Sequence, residues 1–412
     1  MQKEVISSIK KKSYALSTWF ENHAKKVPIP FMSAVTIRDA GFKVAVTEFD
    51  LFPKGLNTLS TTDLSNASNL IKKYFSRFYS ELGKLKRVLI LVSTTHTNPF
   101  VYDHFDLLVR LMKKSGFKVQ LATLEQISTP FRAQTSKKKT LEILSTRIES
   151  NRLICENFDP EFIYVADSFP IEQVHKLLNV AQPITPHRRA LVNPKRKVSD
   201  HYHMYNTLIA DFCRETELDP WLFASLYNLE AHVNFDEKSG VEKITRATEE
   251  LLIDLYDKHQ KYQIEERPQI QIKNNTGTYG MGILTIRSPR ELKKLFLAKK
   301  KKKTSAKTQA VINDVIVHET LPVRPIFKNL QGEMVVYLIG NDILGGYIRA
   351  YTDQTEKNLT KSRTHLFQPL TFGKSGAQLK YKSKVDRQLG LLYQNLSKIG
   401  GLAIGYDIDR KI

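Results

Sequence analysis

Residues 269–287, QIQIKNNTGTYGMGILTIR, constrain the fold of this chain more than any other segment. Gly277, Gly280 and Gly282 stand close together, and apolar residues alternate with polar ones on both sides of them. Alternation with period two is typical of β-strands, so the pattern predicts two strands joined by a glycine-rich turn. Backbone N–H groups in such a turn can approach an anion without side-chain obstruction. The segment therefore favours phosphate binding.

The same segment excludes two common phosphate-binding motifs. No Gly-Lys-Ser/Thr follows the glycines, so it is not a P-loop, and a strand rather than a helix comes next, so it is not a dinucleotide-binding fingerprint. Lys273, on the first predicted strand, would supply a positive charge to nucleotide phosphates. The order of strand, glycine-rich turn and strand is typical of ATP-grasp enzymes and of protein kinases. A tight turn without a ligand is the alternative for this segment taken alone.

Three later patterns follow in the order that ATP-grasp enzymes show. Residues 315–319 (VIVHE) predict an apolar strand that ends in Glu319. Residues 335–349 predict two strands around a Gly-Asn-Asp turn, and Arg349 closes the second of them. An Asn-Leu pair then begins at Asn358. With Lys273 and the glycine-rich turn, this order resembles the ATP-grasp fold.

The N-terminal part of the chain predicts an open α/β sheet. Strand-like runs stand at residues 42–49, 87–93, 117–124 and 162–165. A helix between the second and third runs is predicted from apolar residues at i, i+3, i+4 and i+7, namely Phe105, Leu108, Val109 and Met112. Strand, helix and strand at this spacing predict a βαβ unit, whose parallel strands need helices on the sheet faces.

The predicted fold class is therefore α/β, with an N-terminal open α/β sheet domain followed by an ATP-grasp fold of two α+β subdomains. The predicted domains are residues 1–195 on the substrate side, 196–321 with the glycine-rich loop, and 322–412 at the C-terminus. The basic, proline-containing stretch at 183–197 is interpreted as a linker.

Four motifs of the chain are more specific than the order of strands and loops: TGTYGMGILTI at 276–286, DPWLF at 219–223, IRDAGFK at 37–43 and DLFPKGLN at 50–57. Together they resemble one bacterial family of glutamate-cysteine ligases. The resemblance runs from about residue 30 to the C-terminus. It implies that ATP phosphorylates the γ-carboxylate of glutamate and that the amine of cysteine attacks the acyl phosphate. The product would be γ-glutamylcysteine, formed in the first step of glutathione synthesis.

The resemblance also implies roles for individual residues. Lys273 would bind the nucleotide phosphates, Glu319 would lie at the hinge near the adenosine, and Arg349 would stabilise the charge of the acyl phosphate. Lys273 and Arg349 are the predicted catalytic residues. The predicted cover of the β- and γ-phosphates is the backbone of Thr276, Gly277, Thr278, Tyr279, Gly280, Met281 and Gly282.

ATP and Mg²⁺ are the implied cofactors. Asn358 and Asp407 are the predicted metal ligands, the latter at the end of a strand predicted at 401–406, with Asp409 and Glu333 as further candidates. Lys43 and Arg38 could pair with a substrate carboxylate.

His96 and Asn98 are the other predicted substrate contacts, because their loop leaves the C-terminal end of a predicted strand. Ligands of open α/β sheets usually bind at that end of the strands. His201 and His203 have metal-capable spacing on a predicted strand, but no third ligand is in view, so no site is assigned to them.

A net charge of +21 would attract polyanions, whether nucleic acid, anionic membrane or small phosphates. Neither basic cluster, residues 187–197 nor the lysine run at 299–303, is interleaved with aromatic residues, and the lysine run is interpreted as a solvated loop, with a polyanion contact as the alternative. Glutamate and cysteine are the partners that the resemblance implies, a nucleic-acid or membrane partner is not expected, and a homo-oligomer is left open. Cys155 and Cys213 predict free thiols in a reducing cytoplasm, since no signal peptide or membrane span is apparent.

Two other functions stay open at this point. Another ATP-grasp carboxylate-amine ligase, adding an amino acid to a peptide or protein, would keep the fold and change the substrate. A non-catalytic basic protein that binds nucleotide or nucleic acid would use the positive charge alone.

Overall fold

A computed structural model of the chain describes residues 2–192, 197–234, 237–275, 284–291, 314–327, 330–351, 365–373, 376–379 and 384–410. The chain divides into two compact units. The first unit comprises Met1–Ile37, Val46–Pro194 and Pro325–Ile412, and the second comprises Arg38–Ala45 and Lys195–Arg324. The chain of the first unit is thus interrupted by both segments of the second.

Helices occur in both units. Those of the described residues are α1 (Gln2–Lys11), α2 (Ser13–Lys26), α3 (Thr61–Phe78), α4 (Pro99–Lys114), α5 (Ile171–Val174), α6 (Arg188–Val192), α7 (Val198–Thr216), α8 (Lys238–Lys261) and the C-terminal helix (Lys384–Asp409). Short 3-10 helices lie at Leu56–Thr58, Ser80–Leu82, His175–Leu177 and Pro220–Leu222.

The strands of the described residues are β1 (Met32–Asp39), β2 (Val44–Asp50), β3 (Arg87–Leu91), β4 (Lys118–Thr123), β5 (Phe131–Gln134), β6 (Thr140–Ser145), β7 (Arg147–Glu149), β8 (Arg152–Ile154), β9 (Phe162–Val165), β10 (Ile184–Thr185), β11 (Tyr227–Ala231), β12 (Gln269–Asn274), β13 (Leu284–Ile286), β14 (Asp314–Thr320), β15 (Pro325–Phe327), β16 (Leu330–Ile339), β17 (Asp342–Tyr351), β18 (His365–Gly373) and β19 (Gly376–Leu379).

One sheet of the first unit has the order β10-β9-β3-β4-β6-β5. Strands β3, β4 and β9 run parallel, and α4 connects β3 to β4. Asn98 caps α4 by accepting a hydrogen bond from the Phe100 amide, Pro99 takes the first turn, and Gly116 follows the helix at a φ of +101°. The predicted βαβ unit and the strand at 162–165 are confirmed.

The other large sheet of the first unit has the order β19-β18-β17-β16-β1-β2, with β15 on β16. Strands β16 and β17 form a hairpin whose turn contains Gly340 at a φ of +61°. The paired strands predicted around this turn are confirmed. Helix α3 packs closely against β17 at Gly345. A Cβ at this position would lie only 2.6 Å from the Asp63 side chain, so the packing requires glycine there.

The second unit contains the sheet β11-β14-β12-β13. Alternate residues of β12, Ile270 and Ile272, pack in one core with Leu251 and Leu255 of α8, so the face that carries them is buried. Lys273 and Gln271 lie on the opposite face, since successive residues of a strand point to opposite sides. The predicted strands at residues 269–274 and 315–319 are confirmed.

Three local predictions are wrong. Residues 401–409 continue the C-terminal helix and do not form a strand, because Gly400 and Gly405 let the helix approach apolar side chains to about van der Waals contact. His201 and His203 lie on α7, where residues two apart do not face each other. The stretch interpreted as a linker contains β10 and α6.

Cys155 and Cys213 are buried and free, as predicted. In the part of the chain that the structure describes, no helix has the length and hydropathy needed to cross a membrane.

Candidate functional site

Lys273 occupies a polar face of the second unit. Its cross-strand partner on β14 is Ile316, and His318, two residues further along β14, lies on the same face of the sheet. The Lys273 ammonium lies 5.5 Å from the centre of the Tyr202 ring, which packs at 5.6 Å from the His318 ring. Burial, together with the positive charges of Lys273 and Arg38, holds the pKa of His318 well below its usual value. Two cations therefore act on one small region, which suits an anionic ligand.

The entrance to the glycine-rich segment is fixed by Asn275, which is fully buried. Its side-chain oxygen accepts from the Ser199 amide at 2.8 Å, and its side-chain nitrogen donates to the Ser199 hydroxyl at 2.9 Å. Its carbonyl accepts from the Val198 amide. The start of α7 thus holds the end of β12. The predicted phosphate cover, residues 276–282, lies outside the described residues.

Lys43 and Glu319 form a buried ion pair in the second unit. The Lys43 ammonium donates to Glu319 Oε2 at 2.7 Å, and neither side chain is more than 5% exposed. The same oxygen accepts from the Leu226 amide, and the Trp221 ring lies 4.2 Å from the ammonium. Burial lowers the pKa of Lys43 to about 8, against the opposing charge of Glu319. Each partner therefore has a structural role besides the ligand contact predicted for it.

Arg349 lies on β17 in the first unit between two carboxylates. Its Nη2 donates to Glu333 Oε2 at 2.7 Å and to Glu48 Oε2 at 3.2 Å. Glu333 is 1% exposed, whereas Glu48 is exposed and also accepts from the Thr36 hydroxyl. The Arg349 side chain itself is 27% exposed. Two charge-assisted hydrogen bonds thus orient a guanidinium that solvent still reaches.

A polar cluster lies at the C-terminal ends of β3, β4 and β9 in the first unit. His96 Nε2 hydrogen-bonds the Asp167 carboxylate, and the Lys54 ammonium lies 3.3 Å from the same carboxylate. Burial opposes ionisation of Asp167, but the hydrogen bond from His96 and the charge of Lys54 bring its pKa below the usual value. Glu125, after β4, accepts from the Ser93 hydroxyl at 2.6 Å.

The position of this cluster agrees with the topology of the sheet. From β3 the chain proceeds to β4 on one side, while β9 lies on the other side of β3. The loop with His96 follows β3 and Asp167 follows β9. The connections from these two neighbouring strands therefore leave in opposite directions. Ligands of open α/β sheets usually bind at such a point.

The remaining predicted site residues are placed as follows. Asn98 is exposed and its side chain caps α4. Asp407 is half-buried in the C-terminal helix, and Asn358 lies outside the described residues. Asp409 is exposed and forms an ion pair with Arg189. Among the described residues, no group of three or more His, Cys, Asp or Glu side chains is arranged to hold a metal ion.

Sequence reasoning did not select Asp167, Lys54 or Glu48. Asp167 could have been found, because it comes directly after the strand predicted at 162–165, as His96 comes after the strand at 87–93. Lys54 lies in the DLFPKGLN motif, but no local pattern indicates that its ammonium reaches Asp167. Glu48 on β2 comes close to Arg349 on β17 because β1 and β16 pair between these two strands. Sequence alone does not predict this pairing.

Comparisons with known proteins identify the family. The family model for glutamate-cysteine ligase (GshA) matches residues 7–408. The solved structure of a candidate gamma-glutamylcysteine synthetase from Methylobacillus flagellatus KT superposes with a TM-score of 0.82 at 22% identity, over 99% of this chain and 95% of that one. No curated protein matches the sequence.

Two more distant solved structures were also found. D-alanyl-alanine synthetase A from Vibrio cholerae O1 gives a TM-score of 0.35 at 10% identity, over 76% of this chain and 80% of that one. A RimK domain ATP-grasp protein from Sphaerobacter thermophilus gives 0.30 at 10% identity, over 77% and 98%. These TM-scores are too low to carry an argument.

The family match spans nearly the whole chain, and the superposition with the Methylobacillus structure shows that the two chains share a fold. The predicted α/β fold class is confirmed. The chain belongs to the glutamate-cysteine ligase family and is an ATP-dependent ligase.

Proposed function

We propose that this chain joins L-glutamate to L-cysteine through a γ-glutamyl phosphate. The observation that carries the proposal is the family match over residues 7–408. ATP would transfer its γ-phosphoryl group to the γ-carboxylate of glutamate and leave as ADP. The amine of cysteine would then attack the acyl carbon, the bond to the phosphate oxygen would break, and inorganic phosphate would leave.

Lys273 is proposed to bind the phosphates of ATP. Phosphoryl transfer depends mainly on positioning and on neutralising charge, which a lysine on a rigid strand can supply. The support is the positive field of Lys273 and Arg38 around the buried His318. The anchoring of Asn275 also fixes the point from which the glycine-rich segment leaves the sheet.

Arg349 is proposed to stabilise the negative charge that develops on the acyl phosphate and on the tetrahedral intermediate. Preorganised donors stabilise such charge effectively because they need no reorganisation during the reaction. Glu333 and Glu48 hold the guanidinium in one orientation. Both carboxylates also reduce the net charge near Arg349, so they limit how strongly it binds anions in general.

His96 is proposed to accept the proton that the ammonium group of cysteine must lose. A carboxylate only accepts hydrogen bonds, so Asp167 selects the tautomer in which His96 Nε2 carries the proton. Nδ1 is then the basic atom. Lys54 would keep Asp167 ionised and in place, as its ammonium also donates to the Ala166 carbonyl at 2.7 Å.

Mg²⁺ is proposed to accompany ATP, as it neutralises phosphate charge and takes one or two carboxylates with phosphate oxygens and waters. The described residues contain no group of three or more His, Cys, Asp or Glu side chains arranged to hold a metal ion. Asn358 and Asp407 stay predictions. A cytoplasmic location is also inferred, because the two buried cysteines are free.

The experiment that tests this function measures ADP release with ATP and Mg²⁺, omitting glutamate and cysteine in turn. Full release should require both amino acids, and Lys273→Ala should reduce it at least about a hundredfold. Lys113→Ala, which removes an exposed lysine of α4, is the matched control and should have no effect. Release that needs neither amino acid, or that needs a different carboxylate or amine, would reject the proposed substrates.

A further inference from the structure

A cleft of about 270 Å³ lies in the first unit, apart from the residues proposed for catalysis. Helices α2, α3 and the C-terminal helix, Ile9 of α1, and the turn between β16 and β17 line it. Each helix contributes one face, because the lining residues follow helical spacing. They are Ser13, Leu16, Ser17 and Phe20 on α2, Lys73 and Arg77 on α3, and Leu391, Gln394, Asn395 and Lys398 on the C-terminal helix.

Positive charge is concentrated in this cleft. Lys73 and Arg77 stand four residues apart on α3, where like charges repel each other, and Lys398 faces the same space. Lys73 is paired with Asp342 at 2.9 Å. For Arg77 and Lys398, no ion pair or hydrogen bond of the side chain is found among the described residues. Their described contacts are with aromatic rings, those of Phe78 and Phe20 respectively.

Lys398 is half-buried, so its charge is partly removed from water, and it forms no ion pair within the described residues. Burial lowers its pKa, Asp342 opposes this, and Lys73 and Arg77 lower the pKa further. Glu21 also lines the cleft, but it is exposed on α2. A bound anion would compensate the positive charges of Lys398 and Arg77 together.

The other walls of the cleft indicate the size and kind of that anion. Leu16 and Phe20 are buried residues of α2 that border the space, so an organic body can pack beside the charged group. Asn341 is buried, and its side-chain oxygen has no hydrogen-bond partner within the described residues. It could accept a bond from a hydroxyl or ammonium group of the ligand.

We infer that this cleft is a second ligand site, which binds a small organic carboxylate through Arg77 and Lys398. Arg77 would hold the carboxylate through its planar guanidinium, and Lys398 would add a point charge. Because helices α2, α3 and the C-terminal helix all border the site, bound ligand would stabilise their packing. The site is independent of the proposed catalytic roles.

Isothermal titration of the full chain with citrate, without ATP or Mg²⁺ and at constant ionic strength, tests the inference. Citrate should bind wild type, and Lys398→Met or Arg77→Gln should weaken binding about tenfold or more. Lys72→Met removes a lysine from the exposed side of α3 and is the control for general charge attraction. Lys273→Ala is the control for binding at the proposed nucleotide site. Neither control should change the affinity.

Thermal unfolding gives a second readout. Citrate should raise the Tm of wild type and of Lys273→Ala by similar amounts, and that of Lys398→Met by less at the same citrate concentration. Without citrate, Lys398→Met should unfold no earlier than wild type, because it removes a half-buried charge that forms no ion pair within the described residues. Equal citrate binding by wild type and both cleft variants, or loss of binding in Lys273→Ala or Lys72→Met instead, would overturn the inference.

Discussion

Lys43 and Glu319 depend on each other, since both are buried and share one short hydrogen bond. A buried ion pair adds little stability compared with a well-packed apolar pair, but removing one partner leaves a buried charge uncompensated. This dependence gives an energetic test of the arrangement, separate from any role of Glu319 near the nucleotide.

Lys43→Met should lower the free energy of unfolding of the second unit by about 3–5 kcal/mol. Lys43→Met combined with Glu319→Gln should recover part of this loss, because glutamine can still accept from the Leu226 amide without a charge. Urea denaturation measures both variants. A loss in the double variant as large as that in Lys43→Met, or larger, would mean that the two side chains do not depend on each other.

The proposed role of His96 can be separated from a purely structural one by changing the nucleophile. His96→Gln should reduce kcat with cysteine about 10²-fold to 10⁴-fold, as expected for loss of a proton acceptor. Hydroxylamine is largely unprotonated at neutral pH and needs no such acceptor. Hydroxamate formation with hydroxylamine should therefore stay near the wild-type rate. An equal loss with both nucleophiles would assign His96 a structural role.

At the scale of elements, periodicity predicted the βαβ unit well because β3, α4 and β4 each carry a clear pattern and adjoin in sequence. The C-terminal helix was mispredicted after Ile399 because Gly400, Gly401 and Gly405 disfavour helix locally. Tertiary packing outweighs that preference, since the glycines allow the helix to lie close to the sheet. Such a contact depends on β1, far away in sequence, and no local pattern reports it.

Gly400→Ala tests this close packing. A Cβ at this position would lie 2.7 Å from Val35 Cγ1, so the variant should lose about 1–3 kcal/mol of stability despite the better helix propensity of alanine. Adding Val35→Ala removes the obstructing methyl group and should cost less in the Gly400→Ala background than in wild type. Urea denaturation of the four proteins gives this coupling. Zero coupling would mean that the helix does not pack on Val35 as described.

At the scale of the whole molecule, the family and the sign of the charge could be predicted from the sequence, while the site required the structure. Arg349, Glu333 and Glu48 come from three strands, and His96 and Asp167 from two loops. These groupings arise from strand order and register, which the residue pattern leaves undetermined. The predicted loop at 276–282 and Asn358 lie outside the described residues, so their roles stay predictions.

The charge of +21 should affect substrates according to their own charge. The KM values for ATP and glutamate should rise several-fold between about 50 and 300 mM KCl, because salt screens long-range attraction. The KM for cysteine, which carries no net charge near neutral pH, should change much less, and kcat should be nearly constant. Equal salt dependence for all three substrates would show that the positive charge does not attract substrates selectively.

Pairing of β1 with β16 sets the order in which the polypeptide can complete its structure during synthesis. Val35 of β1 lies opposite Val336 of β16, so this pairing cannot form until most of the chain has left the ribosome. Residues 195–324 of the second unit emerge in between and can begin to collapse first. Until β16 has been synthesised, one edge of β1 is unpaired and exposed to other nascent chains. Aggregation competes with folding at this stage.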